Sequence, residues 1–408
     1  MIARALQCVD CGHRHPLAML YRCARCGGVL DVEYQADQSA AVAQADREGI
    51  WRWSQVLPVD DPAARVSLGE ANTALIRLPR LARELGVATL HAKAEFANPT
   101  GSFKDRPVAV AVSKALELGF ARAACASTGN TGASAAAYCA RAGLPYWCLV
   151  PAATPAQKLA QIAAHGARVI RVRGTYSEAY GVAEVVAERE QVANLSSTFL
   201  NPYMLEGDKT VAYELLEQLG RAPDWILVPI GAGPLLVGVL KGFEELLARG
   251  AIDRVPRLAG VQAEGCAPIA QAFEAGRDEV QEWTAEVRTV ASSIADPLRG
   301  YGRHGTYTLR GIRRSNGVAV AVSDAETLWA HQRLAAEGIF AEPGSATAIA
   351  ALRRLRDQHL ITRDELVVAL ITGHGLKDPS LALAEFDPAA VPLADATPEA
   401  VAALLTPR

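Results

Sequence analysis

Eight short apolar runs punctuate the chain from residue 90 onward, and the stretches between them carry helical periodicity and end on glycine. The runs are LHAKAEF (90–96), AACAST (123–128), YWCLVP (146–151), ARVIRV (167–172), WILVPIG (225–231), RLAGVQAE (257–264), VAVAVS (318–323) and LVVALITG (366–373). The intervening stretches include VAVAVSKALELG, ASAAAYCARAG, PAQKLAQIAAHG and LLVGVLKGFEELLARG. Strands apolar on both faces must be covered on both faces, and strand–helix–strand order makes neighbouring strands parallel. The pattern therefore predicts an α/β architecture of doubly wound sheets. At 408 residues the chain has length for two or three such units. Segment 275–317, richer in Gly, Arg and Tyr, reads as irregular and as the wall of a site. TPEAVAALL near the C-terminus, with Thr397 as N-cap and Pro398 at the first helical position, reads as a packing helix.

Charge narrows the function classes. With 41 basic and 44 acidic residues the net charge is −3, so nothing in the sequence points to nucleic acid or an anionic membrane. No apolar run approaches the ~20 residues needed to cross a bilayer, and MIARALQCVDCGHRH lacks the apolar core of a secretion signal. The cytoplasm is the expected location.

Four of the eight cysteines crowd the first 26 residues as C-x2-C-x11-C-x2-C. Cys8, Cys11, Cys23 and Cys26 form two knuckles, each able to present both sulfurs to one tetrahedral ion, and four ligands fill a zinc site that is structural rather than catalytic. The other reading of this spacing is four reduced thiols with no metal. His13 and His15 are expected at the surface, and Cys125, Cys139, Cys148 and Cys266 as small buried hydrophobes. The connector QADQSAAVAQADREG follows this module.

In open α/β sheets, ligands bind beyond the C-terminal strand ends, so the loops there carry the chemistry. STGNTGAS (127–134) and PIGAGPLLVG (229–238) are small-residue turns that open helices and suit an anion, though each could be only a capped turn. ITGHGLKDP (371–379) brings the hydroxyl of Thr372 out of a buried strand. NPTGSFKDRP (98–107) holds Lys104 at a loop–helix junction. An anion loop for phosphate, another for carboxylate, a neutral hydroxyl and a lysine are together the parts needed for pyridoxal phosphate, in which the lysine forms a Schiff base and the ring is the electron sink.

These motifs, with WRW near residue 51, HGARVIRV, the LEG-KT segment at 201–210 and EPGSA (342–346), resemble the threonine synthase family of fold-type-II pyridoxal-phosphate enzymes over nearly the whole chain. The resemblance implies a tryptophan synthase β-like fold. A zinc-ribbon module would occupy residues 1–36, a large cofactor-binding α/β domain residues 37–105 and 205–408, and a smaller α/β domain residues 106–204. It implies that Lys104 carries pyridoxal 5'-phosphate and moves protons, that Asn130 meets the cofactor's 3'-oxygen and Thr372 its pyridine nitrogen, and that Gly231, Ala232, Gly233 and Leu235 hold its phosphate. Ser127, Thr128 and Thr131 would cradle the substrate carboxylate, and a homodimer is the expected assembly. The nearest activity is conversion of O-phosphohomoserine and water to threonine and phosphate.

The chain departs from the family pattern where that pattern grips the substrate phosphate. NPYMLEGDKT places Met204 at the family's arginine position and Asp208 at its glutamine position, and SSTFLNP places Thr198 and Phe199 where small amides and hydroxyls are usual. Met204 cannot bind phosphate and an acid beside it would repel one. Either Lys93, Lys158, Arg299, Arg303 or Arg310 compensates, or the same scaffold performs β- or γ-elimination or replacement on another amino acid, as in cysteate synthase or specialised metabolism. A non-catalytic regulator is the third reading, and the intact set Lys104, Asn130 and Thr372 argues against it.

Overall fold

The computed structural model describes residues 3–35 and 48–405; residues 36–47 of the expected connector, and with them the expected boundary at 36/37, lie outside the described residues. Thirteen strands are found among the described residues: β1 (Ala3–Cys8), β2 (Arg14–His15), β3 (Leu30–Tyr34), β4 (Leu75–Arg77), β5 (Thr89–Lys93), β6 (Ala123–Ala126), β7 (Tyr146–Pro151), β8 (Arg168–Val172), β9 (Ala193–Asn194), β10 (Trp225–Pro229), β11 (Arg257–Ala263), β12 (Val318–Val322) and β13 (Leu366–Leu370). All eight expected strands are present, each within the run that predicted it except for Thr89 of β5, one residue upstream. The short β4 and β9 were not foreseen.

The strands form three sheets. One is small and antiparallel, in the order β2-β1-β3; one has six strands, β12-β11-β10-β13-β5-β4; and one has four, β8-β7-β6-β9. In the six-stranded sheet only β4 runs antiparallel, and Leu227 of β10 stands opposite Ala259 of β11 and Ala369 of β13. Every residue of β6, β10 and β13 is buried, which is the unbroken apolar pattern of a strand covered on both faces. The covering helices end where left-handed backbone is needed: Gly143 (φ +65°) and Gly250 (φ +70°) follow the helices Asn130–Arg141 and Pro234–Ala248.

Two expectations are corrected. Segment 275–317 is irregular only in its first part, because Gly302–Arg314 is a 13-residue helix. Its glycines are packing points and not breaks, since a Cβ on Gly305 would lie 2.5 Å from Leu298 Cδ1. At the C-terminus Thr397 does cap the helix Pro398–Ala402, accepting from the Ala400 N–H at 3.3 Å, but no residue of that helix is buried and Val401, Leu404 and Leu405 are exposed. It is not a packing helix.

The contact that fixes the site is between Asp105–Glu117, the helix Lys104 leads into, and Pro202–Asp208. Gly207 lies directly against the first of these, and a Cβ there would fall 2.2 Å from the Arg106 carbonyl oxygen. Beneath it Arg106, fully buried, donates to Glu95 (2.7 Å from both Nε and Nη2) and to Glu214 (3.0 Å), and buried Lys93 pairs with Glu214 as well. Gly207→Ala is expected to lower the denaturant-unfolding free energy by about 1–3 kcal/mol, the usual cost of overpacking, and unchanged stability would show that the two helices separate freely.

Candidate active site and metal centre

Loops at the C-terminal ends of β5 to β10 and of β13, together with the irregular wall 292–299, surround a cavity of about 1140 Å³. Lys104, Ser127, Thr128, Asn130, Thr131, Thr198, Gly231, Ala232, Gly233, Leu235 and Thr372 all line it. Sequence-distant loops thus meet at strand ends, as expected of an open α/β sheet.

The Lys104 loop is fixed at both ends. Backbone hydrogen bonds run from Phe103 N to Thr372 O (3.0 Å) and from His374 N to Gly101 O (2.9 Å), pinning it to the end of β13. The Asp105 carboxylate accepts from Thr100 N (2.7 Å), Thr100 Oγ1 (2.6 Å) and Ser134 Oγ (2.6 Å), joining the loop to the helix Asn130–Arg141. Lys104 Nζ lies 4.3 Å from the centre of the Phe103 ring. Burial lowers its pKa below the ordinary lysine value, and the carboxylates of Asp208 and Asp296 oppose that effect. An amine held toward its neutral form is a nucleophile and a base.

Around it the donors are neutral. Thr372 Oγ1 is 2.8 Å from Ser345 Oγ, which itself accepts from Gly373 N at 2.9 Å. Asn130 Nδ2 donates to both oxygens of Glu342 (3.2 and 3.0 Å), and burial pushes the Glu342 carboxyl up to about 7. Ser127 Oγ accepts from Gly129 N (3.3 Å) and Gly132 N (3.0 Å), so this hydroxyl also shapes its own loop.

In the glycine loop the carbonyls point into protein. Gly231 O accepts from Gln262 Nε2 (3.2 Å) and Ala232 O from Thr308 Oγ1. In a trans peptide the N–H lies opposite the carbonyl, so the amides of Ala232 and Gly233 face the other way, at the N-terminus of the 15-residue helix Pro234–Ala248. An amine of lowered pKa, an amide cradle at a helix N-terminus and an uncharged hydroxyl sharing one cavity fit pyridoxal phosphate.

Not every expected group reaches the cavity. Phe199 packs edge-on to His304 and Tyr307, with ring centres 5.7 and 5.1 Å apart, and does not line it. Met204 is buried in the apolar core that holds Val108 and Val112. Of the five proposed compensating cations, Lys158 and Arg299 line the cavity. Lys93 belongs to the buried ion pairs, Arg303 donates to Cys26 O (2.7 Å), and Arg310 donates to Asp10 (2.8 Å). Segment 275–317 does supply a wall of the cavity, as expected, but sequence reasoning did not single out Asp296 within it; it missed Tyr176, which lines the cavity from a stretch without a motif, and Ser345, whose EPGSA motif was noted without a role for the hydroxyl.

The Cys8, Cys11, Cys23 and Cys26 sulfurs lie within 4.8 Å of one another, with closest pairs at 3.4, 3.4 and 3.7 Å. Four thiolates about 2.3 Å from one zinc ion stand roughly 3.8 Å apart. A Cβ on Gly28 would lie 2.9 Å from Cys8 Sγ and 3.1 Å from Cys26 Sγ, so the knuckle closes only around glycine. The four cysteines are compatible with a structural zinc. His13 is exposed as expected, but His15 is buried, with Nε2 3.4 Å from Cys23 Sγ, where it supports a ligand and does not replace one. Lys241, on the helix that follows the glycine loop, donates to Asp31 (2.6 Å) and Val32 O (2.8 Å), so the cysteine module braces the cradle.

A family model described as pyridoxal-phosphate dependent enzyme matches residues 66–373. The threonine synthase of Methanosarcina acetivorans is 40% identical over 384 residues, covering 92% of each chain. That of Methanocaldococcus jannaschii is 40% identical over 386 residues, covering 92% of this chain and 94% of its own. Among solved structures, maize serine racemase superposes with a TM-score of 0.67 at 21% identity, covering 77% of this chain and 91% of its own. Threonine deaminase isoform 2 of Solanum lycopersicum gives 0.67 at 22%, covering 85% and 95%. The two solved structures are likenesses of fold.

Metal analysis is expected to find one zinc per chain. Cys8→Ser with Cys26→Ser should lose it and lower the thermal midpoint by on the order of 5 °C; retained metal in that variant would contradict the four-sulfur site.

Proposed function

This chain belongs to the threonine synthase family of pyridoxal-phosphate-dependent enzymes, and from that membership we propose how its cavity works. It is a lyase of threonine-synthase type whose cofactor is pyridoxal 5'-phosphate and whose substrate is an amino acid. Lys104 holds the cofactor, the amides of Gly231, Ala232, Gly233 and Leu235 take its phosphate, Asn130 meets its 3'-oxygen and Thr372 its pyridine nitrogen. When bound, the cofactor supplies an electron sink for negative charge on the substrate α-carbon.

The chain's own residues do the rest. Ser127, Thr128 and Thr131 hold the α-carboxylate at the start of the helix Asn130–Arg141, where amide dipoles favour an anion. Thr372 Oγ1, held 2.8 Å from Ser345 Oγ, presents an uncharged hydroxyl to the cavity. Lys104 Nζ, held toward the neutral amine by burial, takes a proton from one substrate carbon and returns it to another. The nearest overall reaction breaks the γ C–O bond of O-phosphohomoserine, releases phosphate, adds water at Cβ and yields threonine. The observation that carries this reading is the meeting of Lys104, the glycine loop and Thr372 in one cavity.

A second reading keeps the chemistry and changes the substrate. It is favoured by the burial of Met204 and Phe199 outside the cavity, while Asp296 lines it, so that Thr198 alone of the three expected distal residues reaches the substrate space. Such a site would accept an amino acid without a phosphate, by β- or γ-elimination or replacement. The division into 1–36, 37–105 with 205–408, and 106–204 is supported by the sheets, since β4, β5 and β10–β13 build one sheet and β6–β9 another. We also read the protein as a cytoplasmic homodimer. No helix among the described residues is long and apolar enough to cross a membrane.

Lys104→Ala should abolish the visible absorption of bound cofactor and lower turnover by at least about 10³-fold. Release of phosphate together with threonine from O-phosphohomoserine supports the first reading. Silence in that assay, with spectral changes on adding other amino acids, supports the second, and a persisting visible band in Lys104→Ala would remove the basis of both.

A further inference from the structure

We propose that Asp208 is the counter-charge of Lys104, a positioning residue that acts on the lysine nitrogen from outside the cavity and favours a proton there. The proposal rests on the reading above that Lys104 is the lysine carrying the cofactor. Asp208 ends the helix Pro202–Asp208, is 1% exposed and does not line the cavity. Its Oδ1 is buried and takes no hydrogen bond among the described residues. The side chain is wedged against the helix Pro234–Ala248, where a Cβ on Gly238 would lie 2.5 Å from Asp208 Cβ, so glycine there makes room for the acid.

Charge bookkeeping singles out the partner. Gly207, the residue before Asp208, lies against Arg106 and Pro107, which sets Asp208 beside the start of the helix that Lys104 leads into; the charged groups of that region are Lys104, Glu95 and Arg106. Arg106 is already paired with Glu95 and Glu214, and Lys93 with Glu214, which makes two cations against two carboxylates. Lys104 is the cation left for Asp208. The titratable groups whose charge would bear on Lys104 are Asp208, Cys125 and Asp296. Asp296 is differently placed, because its Oδ1 already accepts from Leu298 N (3.0 Å) and Tyr301 OH (2.8 Å). A buried carboxylate without a partner is costly unless it holds a proton or faces a cation. In support, burial pushes the Asp208 carboxyl up to about 7 and the charge of Lys104 is the first influence opposing it, while the charge of Asp208 is the first opposing the depression of Lys104. Nothing is consumed: a carboxylate at 208 stabilises the protonated state of the nitrogen and a neutral residue there does not.

The test is a pH titration of the visible absorption of the holoenzyme. A negative charge at 208 favours the protonated nitrogen, so removing it makes the proton leave at lower pH. Asp208→Asn should move the spectral midpoint down by about one pH unit or more, a tenfold loss of proton affinity, while Asp208→Glu should keep it within a few tenths of a unit. An unmoved midpoint in Asp208→Asn overturns the proposal. If that variant does not accumulate folded, Asp208→Ser is titrated in its place, with the same two outcomes. Failure of the underlying reading looks different, because the visible band would then survive in Lys104→Ala.

Discussion

Two backbone hydrogen bonds, Phe103 N to Thr372 O and His374 N to Gly101 O, set the geometry on which the rest of the site depends. They tie the loop that carries Lys104 to the end of the strand that delivers Thr372, so two groups 268 positions apart in sequence share one rigid junction. Because the bonds use main-chain atoms, they leave the side chains free for chemistry. The Asp105 carboxylate then fixes the same loop to the helix behind Ser127–Thr131 through Thr100 and Ser134. Lys104, Thr372 and the Ser127–Thr131 loop are held before any ligand arrives, which is how a fold reduces the ordering cost of binding.

Behind this junction the buried charges are arranged so that the lysine's surroundings stay distinct. Glu95, Arg106, Glu214 and Lys93 pair with one another in the buried interior. Such a set contributes little net stability compared with apolar packing, but removal of one member would leave an uncompensated charge inside the protein. Arg106 follows Lys104 by two residues, so the network anchors the start of the helix Asp105–Glu117 while spending its charge on Glu95 and Glu214. Asp208, buried nearby, is not a member of that set.

Most of the framework was legible in the sequence because burial on both strand faces writes itself as an unbroken apolar run. Strand-end loops and glycine-closed helices were legible for the same kind of reason. The helix Gly302–Arg314 was hidden because glycine at 305 serves a close contact, and propensity alone reads it as a breaker. Phe199 and Met204 were assigned to the substrate space from their positions in a motif, yet a motif does not say which way a side chain points, and both turn into the core. His15 was expected at the surface because four cysteines already complete the metal site, while the cysteine cluster buries it against Cys23. Asp208 was read as a charge near the substrate; it is buried and does not line the cavity, a distinction that needs three dimensions.

The central claim is that Lys104 carries the cofactor, and the most direct measurement is reductive trapping of the holoenzyme with borohydride followed by mass mapping of its peptides. The account predicts that the added mass of the reduced cofactor falls on Lys104, in the peptide that contains GSFKD. Label on Lys93, Lys158 or Lys377 instead, with Lys104 unmodified, would contradict it.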